Sequence, residues 1–172
     1  MGAVYRISQF LRALGARLSP AEREWARSLL PPAAVELFEG LPRQDQRHGM
    51  DVALALRDAG VEEPAVLAAA LLHDAGKARS HLTLFHRTAV VLLQAGRPAL
   101  LQALGEEERQ DWRRPFWVHL HHPEIGAELA GAAGCEELTV WLIRHHHRPA
   151  GEITDAHRRA VLELFQHLDN SY

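Results

Sequence analysis

Pro64-Ala65-Val66-Leu67-Ala68-Ala69-Ala70-Leu71-Leu72-His73-Asp74-Ala75-Gly76-Lys77 is the stretch from which the rest of the chain can be placed. Proline suits the first position of a helix, where its missing N–H has no partner to lose. Residues 65–72 carry no polar side chain. A helix there is apolar on every side and belongs at the centre of a core. The same run is the longest apolar stretch in the chain and is too short to span a bilayer. It stops at a His-Asp pair, so two polar side chains emerge at the core's edge. That is a costly place for a carboxylate unless a cation or hydrogen-bond donors compensate it.

Outward from this run, turn and cap residues cut the sequence into short helices. Ser19-Pro20 followed by Glu22 is a capping box that opens a helix to about Leu30. Pro31-Pro32 ends it and starts a short helix through Phe38, stopped by Gly40 and Pro42. A longer helix is predicted over 43–59, with Gly60 as its stop, and others over 88–95, 98–104, 123–132, 136–146 and 154–168. Segment 105–114 is charged and reads as exposed. Ile7, Phe10, Leu11, Leu14 and Leu18 form a helical stripe near the start, read as a packing helix and as a surface for a homodimer or a partner. No strand pair, repeat or linker interrupts the pattern. Composition agrees: Leu (26) and Ala (27) far outnumber Val (10) and Ile (4), a balance that favours helix over sheet. The 172 residues, 47% of them hydrophobic, fit one all-α domain. Residues 1–42 are read as N-terminal helices packing on a core built by 43–172.

The formal charge of −3 and a pI near 6.4 exclude a surface of the kind that coats DNA. A lone cysteine, Cys135, excludes an internal disulfide and a Cys-rich zinc fold. Arg6, Arg12 and Arg17 break up any signal-peptide stretch, so the expected compartment is the cytoplasm. Eighteen of the 19 basic residues are Arg, and the one Lys is Lys77.

Imidazole and carboxylate ligands for a first-row metal come from separate elements that converge in space. The candidates are His48, His73-Asp74, His122, the run His145-His146-His147, and Asp169. An Asp closing a long helix opposes the helix dipole unless it has another task. His146 is favoured within its run because it follows the apolar face of Leu138, Trp141 and Leu142. His81, His86, His119, His121, His157 and His167 read as ordinary surface or core histidines.

The ordered set resembles the HD superfamily of metal-dependent phosphohydrolases. His73-Asp74-Ala75-Gly76-Lys77 is similar to the family's His-Asp-x-Gly-Lys. His48 is similar to its isolated upstream histidine, and Asp169 to its closing aspartate. His122-Pro123-Glu124-Ile125-Gly126 resembles a segment of the two-metal branch, which includes cyclic-dinucleotide phosphodiesterases. The Gly-Tyr-Pro signature of those enzymes is absent, and Arg148-Pro149-Ala150-Gly151 stands in its region. Gln44 stands where some relatives place a carboxylate for a third metal.

The resemblance implies a compact HD-type helical bundle. It also implies two divalent cations, drawn from Fe, Mn, Zn, Co or Ni. One would be held by His48, His73, Asp74 and Asp169. The other would be held by bridging Asp74, His122 and His146, with His145 or His147 as further donors. The implied activity is hydrolysis of a phosphomonoester or phosphodiester, on a small phosphorylated and nucleotide-like substrate, by water acidified at the metals. Asp74 and Lys77 would be catalytic. Lys77, Arg87 and Arg144 would bind phosphate. The same ligand set also resembles the superfamily's di-iron oxygenases, and a regulatory domain that binds metal or nucleotide without turnover is the third reading. Aromatic residues Phe85, Trp112, Phe116 and Trp117 could stack a base, although core packing is the ordinary role of such residues.

Overall fold

The computed structural model describes residues 17–80, 84–108 and 110–171, which form nine α-helices and two short 3-10 turns without a strand. The helices are α1 (Pro20–Leu29), α2 (Pro32–Glu39), α3 (Arg43–Asp58), α4 (Pro64–Leu72), α5 (Leu84–Gly96), α6 (Pro98–Gly105), α7 (Arg114–Ala132), α8 (Glu137–His145) and α9 (Ala156–Asp169). The 3-10 turns are Ala75–Arg79, directly after α4, and Ala150–Glu152. The chain is all-α, as its composition and apolar periodicity require. Of the stripe near the start, only Leu18 falls within the described residues, and it is buried; Ile7, Phe10, Leu11 and Leu14 lie outside them.

All eight residues from Ala65 to Leu72 are buried. Helices α1, α2, α3 and α8 surround α4, and α9 lies along α3. The Thr139 hydroxyl of α8 donates to the Ala65 carbonyl at 2.9 Å, pinning the start of α4. The Ser19 capping box forms on both sides: Glu22 N donates to Ser19 Oγ at 3.2 Å and Ser19 N donates to Glu22 Oε2 at 2.7 Å. Glu22 also pairs with Arg47 of α3 at 2.8 Å, tying α1 to the helix that carries His48.

A second, smaller apolar cluster joins α5, α6 and the first half of α7 around Val90, Leu101 and Phe116. Among the described residues, Phe85, Leu92, Leu100 and Trp112 are the large apolar side chains left exposed, and all four lie on or beside this part. No helix among the described residues is long and apolar enough to cross a membrane.

The largest departure from the sequence expectation is α7. It begins at Arg114 and passes straight through Pro123, whereas the proline reads locally as a helix start. A proline inside a helix removes the bond to the carbonyl four residues earlier, here that of His119. The imidazole of His122 supplies the missing donor, with Nδ1–H bonding the His119 oxygen at 2.6 Å. The break is therefore repaired by a side chain that the site also uses.

Two glycines set the close approaches that bring the site together. A Cβ on Gly49 would lie 2.9 Å from the Leu71 carbonyl oxygen and 3.0 Å from that of Ala70, so α3 lies directly on the last turn of α4. A Cβ on Gly76 would overlap the His122 carbonyl oxygen and lie 2.8 Å from His122 Cα, so the turn after α4 presses on the backbone of α7. Gly76→Ala should therefore destabilise the protein by about 2–3 kcal/mol in denaturant unfolding, because backbone cannot yield as a side chain can. Gly151→Ala, with open space around it, should stay within about 0.5 kcal/mol of the parent. Equal effects of the two changes would contradict the close-packing argument.

Candidate metal centre

Five elements deliver the polar side chains. His48 projects from α3, His73 caps the C-terminal end of α4 with Asp74 next to it, and His122 sits in mid-α7. His146 caps the C-terminal end of α8, and Asp169 is the last residue of α9. Each comes from a helix end or from beside a glycine contact, where polar groups can leave the core without breaking it.

Their ligand atoms fall into two trios, His48–His73–Asp169 and His122–His146–His147, each with all its ligand atoms within 4.8 Å of one another. In the first, His48 Nε2 is 2.8 Å and His73 Nε2 3.3 Å from Asp169 Oδ1. In the second, the Nε2 atoms of His122 and His146 are 3.2 Å apart. Asp74 lies between the trios, with Oδ1 3.6 Å from His73 Nε2 and 3.4 Å from His122 Nε2. The His73 and His146 rings, one from each trio, approach to 5.2 Å between centroids. His73, His122 and His146 are at most 2% exposed.

The three buried imidazoles are oriented by one device. His73 Nδ1–H donates to the Ala70 carbonyl at 2.9 Å, His146 Nδ1–H to the Ile143 carbonyl at 2.7 Å, and His122 Nδ1–H to that of His119. In every case the acceptor is three residues back. It is free because the helix ends there or because Pro123 has no N–H to offer. A carbonyl can only accept, so Nδ1 must carry a proton, and in the neutral ring Nε2 holds the lone pair.

The consequence is electrostatic. Neutral His122 and His146 point two lone pairs at each other over 3.2 Å, and the His73 lone pair faces two carboxylates. Electron-pair donors packed this closely in a buried site call for a positive charge among them. The donor set of imidazole and carboxylate fits a divalent first-row cation in each trio. Hydrogen-bonded Nδ1 groups of this kind also fix ring orientation and raise ligand basicity.

Without a cation, His73 must supply that charge itself. Burial lowers its pKa, but the carboxylates of Asp74 and Asp169 more than reverse this and raise it to about 9. Burial pushes the Asp74 carboxyl up, yet Lys77, His73 and His122 together hold it well below the usual carboxylate range. Asp169 is likewise held well down against burial by His73 and His48. Burial, then Lys77, lowers the His122 pKa, and burial with its histidine neighbours drives His146 well below the ordinary value. These two are neutral, ready ligands near pH 7.

Lys77 Nζ bonds Asp74 Oδ2 at 2.7 Å, so the lysine anchors the carboxylate between the trios and keeps its other protons for a ligand. His147 joins the second trio from an exposed position. His145 turns away: its Nδ1–H bonds the Trp141 carbonyl at 2.7 Å and its ring stacks on Trp141. Arg144 is exposed on α8 and has no bond to the site among the described residues. The Arg87 side chain and His81 lie outside the described residues. His119, read from sequence as an ordinary histidine, stacks on His122 at 5.8 Å and is lowered to about 3 by burial and then by Lys77. The signal for it was the spacing His119-x-x-His122-Pro123, which marks a freed carbonyl.

A family model described as HD domain matches residues 46–169, nearly three quarters of the chain and the span that carries every residue of both trios. No curated protein and no solved structure matches the chain.

The raised His73 pKa gives a signed pH dependence. A cation must displace the proton on Nε2, so between about pH 6.5 and 9 binding at the first trio should release about one proton. Affinity there should rise about tenfold per pH unit and level off above 9. The metal-free chain should run the other way: this contribution to stability is full below the unfolded histidine value of about 6.5 and is lost as pH rises through about 9. Calorimetric titration in buffers of different ionisation enthalpy checks the first and thermal melts check the second. A pH-independent affinity would contradict the assignment.

Proposed function

We propose that this chain, which belongs to the HD domain family, is a metal-dependent phosphohydrolase that cleaves a phosphomonoester or phosphodiester of a small, nucleotide-like substrate at a two-cation centre. The observation that carries the reading is the meeting of two ligand trios across one carboxylate, Asp74. His48, His73, Asp74 and Asp169 would hold one cation. Asp74, His122, His146 and His147 would hold the other. Mn, Fe, Co, Ni and Zn all suit these donors. When bound, such a pair supplies a Lewis acid for phosphoryl oxygens and lowers the pKa of water toward neutrality.

The chain's own residues do the rest. Two divalent charges against Asp74 and Asp169 leave a positive field, to which Lys77 adds, so a phosphate group is attracted to the site. Lys77 is 18% exposed. It is placed to offer its unused N–H groups to a phosphoryl oxygen while its bond to Asp74 fixes its position. The three Nδ1 locks hold the lone pairs in place before substrate arrives, so no reorganisation is needed at the moment of reaction.

The test is phosphate release from a panel of nucleotides, simple phosphoesters and cyclic dinucleotides, with chelated protein reloaded by Mn, Fe, Co, Ni or Zn in turn. Chelation should abolish turnover and at least one of these metals should restore it. Asp74→Asn should lower kcat by about a thousandfold or more, and Lys77→Ala by about a hundredfold. Turnover in fully metal-free protein would overturn the proposal. So would dioxygen uptake by iron-loaded protein that releases no phosphate from any member of the panel.

A further inference from the structure

We propose that Gln166 is a positioning residue for the second trio, whose side-chain amide holds the backbone of residues 146–148 so that His146 and His147 meet His122. The proposal rests on the two-cation reading above and adds to it a residue that none of the metal ligands requires by type. The last turn of α9 touches the centre at three points. Phe165 packs nearly at right angles to the His73 ring with centroids 5.7 Å apart, Asp169 reaches His48 and His73, and Gln166 reaches across to the segment that follows α8.

There, Gln166 Nε2 donates to the His146 carbonyl at 2.9 Å and to the Arg148 carbonyl at 2.7 Å. Both partners can only accept, so the amide nitrogen must face them and both of its N–H groups are used. These carbonyls lie past the end of α8, where helical donors have run out. They bracket His147, whose ring meets His122 at 4.9 Å and His146 at 4.1 Å between centroids. His147 as a whole residue is exposed, so the direction from which its ring reaches these two depends on the backbone on either side. Arg148 N closes the same segment by donating to His145 O at 2.8 Å. One helical turn of α9 thus delivers Asp169 to the first trio and holds the backbone that carries the second.

The experiment compares the full-length chain with Gln166→Met, which keeps length and removes both donors, and with Gln166→Glu, which keeps shape and places an acceptor against the two carbonyls. Each protein is stripped, melted without metal, then titrated with Mn(II) while free ion is followed by electron paramagnetic resonance. The wild-type chain should bind two equivalents. Both variants should keep the first with unchanged affinity and bind the second about 10–100-fold more weakly, the usual effect of removing a partner behind the ligands. Two unchanged equivalents in the variants would overturn the role. Equal weakening of both equivalents, with a matching fall in the metal-free melting temperature, would make Gln166 purely structural and also overturn it. Fewer than two equivalents in the wild-type chain would overturn the two-cation reading, and this proposal with it.

Discussion

The centre depends on one constraint: three buried imidazoles are turned so that their lone pairs face the same small volume. In water such rings would rotate apart or take up protons. Here each is held by an Nδ1–H bond to a carbonyl three residues back. The carbonyls are available for ordinary reasons of helix chemistry, since helices leave their last acceptors unpaired and proline donates nothing. The protein satisfies those acceptors with histidine instead of water. The result is a set of lone pairs aimed at one volume, the arrangement a cation site needs. What it risks is mutual repulsion among lone pairs and carboxylates, which a proton on His73 relieves in the metal-free state.

The rest of the fold reads as support for that arrangement. A central helix without a polar side chain can stop abruptly, and the first polar residues after it emerge at the boundary of the core. Close helix contacts at Gly49 and Gly76 bring α3 and α7 within reach of that boundary. The final turn of α9 then brings an aromatic ring, an amide and a carboxylate to the site. The α5–α6 part stands apart around its own small cluster, and the exposed aromatic residues Phe85 and Trp112 belong to that region.

Much of this was legible in the sequence, for identifiable reasons. The run 65–72 has a single physical solution, a buried helix, and proline and glycine punctuation marks most of the other elements. His48, His73, Asp74, His122, His146 and Asp169 could be named because the types of residue and their order are specific. Local reading failed at Pro123. Its preference for a helix start is real, but tertiary packing and the His122 side chain outweigh it, so α7 runs nine residues further back than expected. His119 and Gln166 were hidden for a different reason. His119 contributes a carbonyl, marked only by the proline four residues on, and Gln166 an amide aimed at backbone, which leaves no mark in residue type. For the run 145–147, apolar periodicity pointed to His146, which is the buried one of the three. It could not separate His147, which the chain folds back toward His122, from His145, which stacks on Trp141.

The claim at the centre of this account is that Nδ1 carries the proton and Nε2 faces a cation in His73, His122 and His146. Long-range proton–nitrogen NMR on histidine-labelled protein, recorded before and after adding zinc, reads both atoms directly. The account predicts that with zinc all three rings hold the Nδ1–H form with Nε2 in the coordinated range, His122 and His146 moving there from the free range and His73 from the doubly protonated form. Nε2–H forms that persist in these rings with zinc bound, or Nε2 signals that zinc does not move, would contradict it.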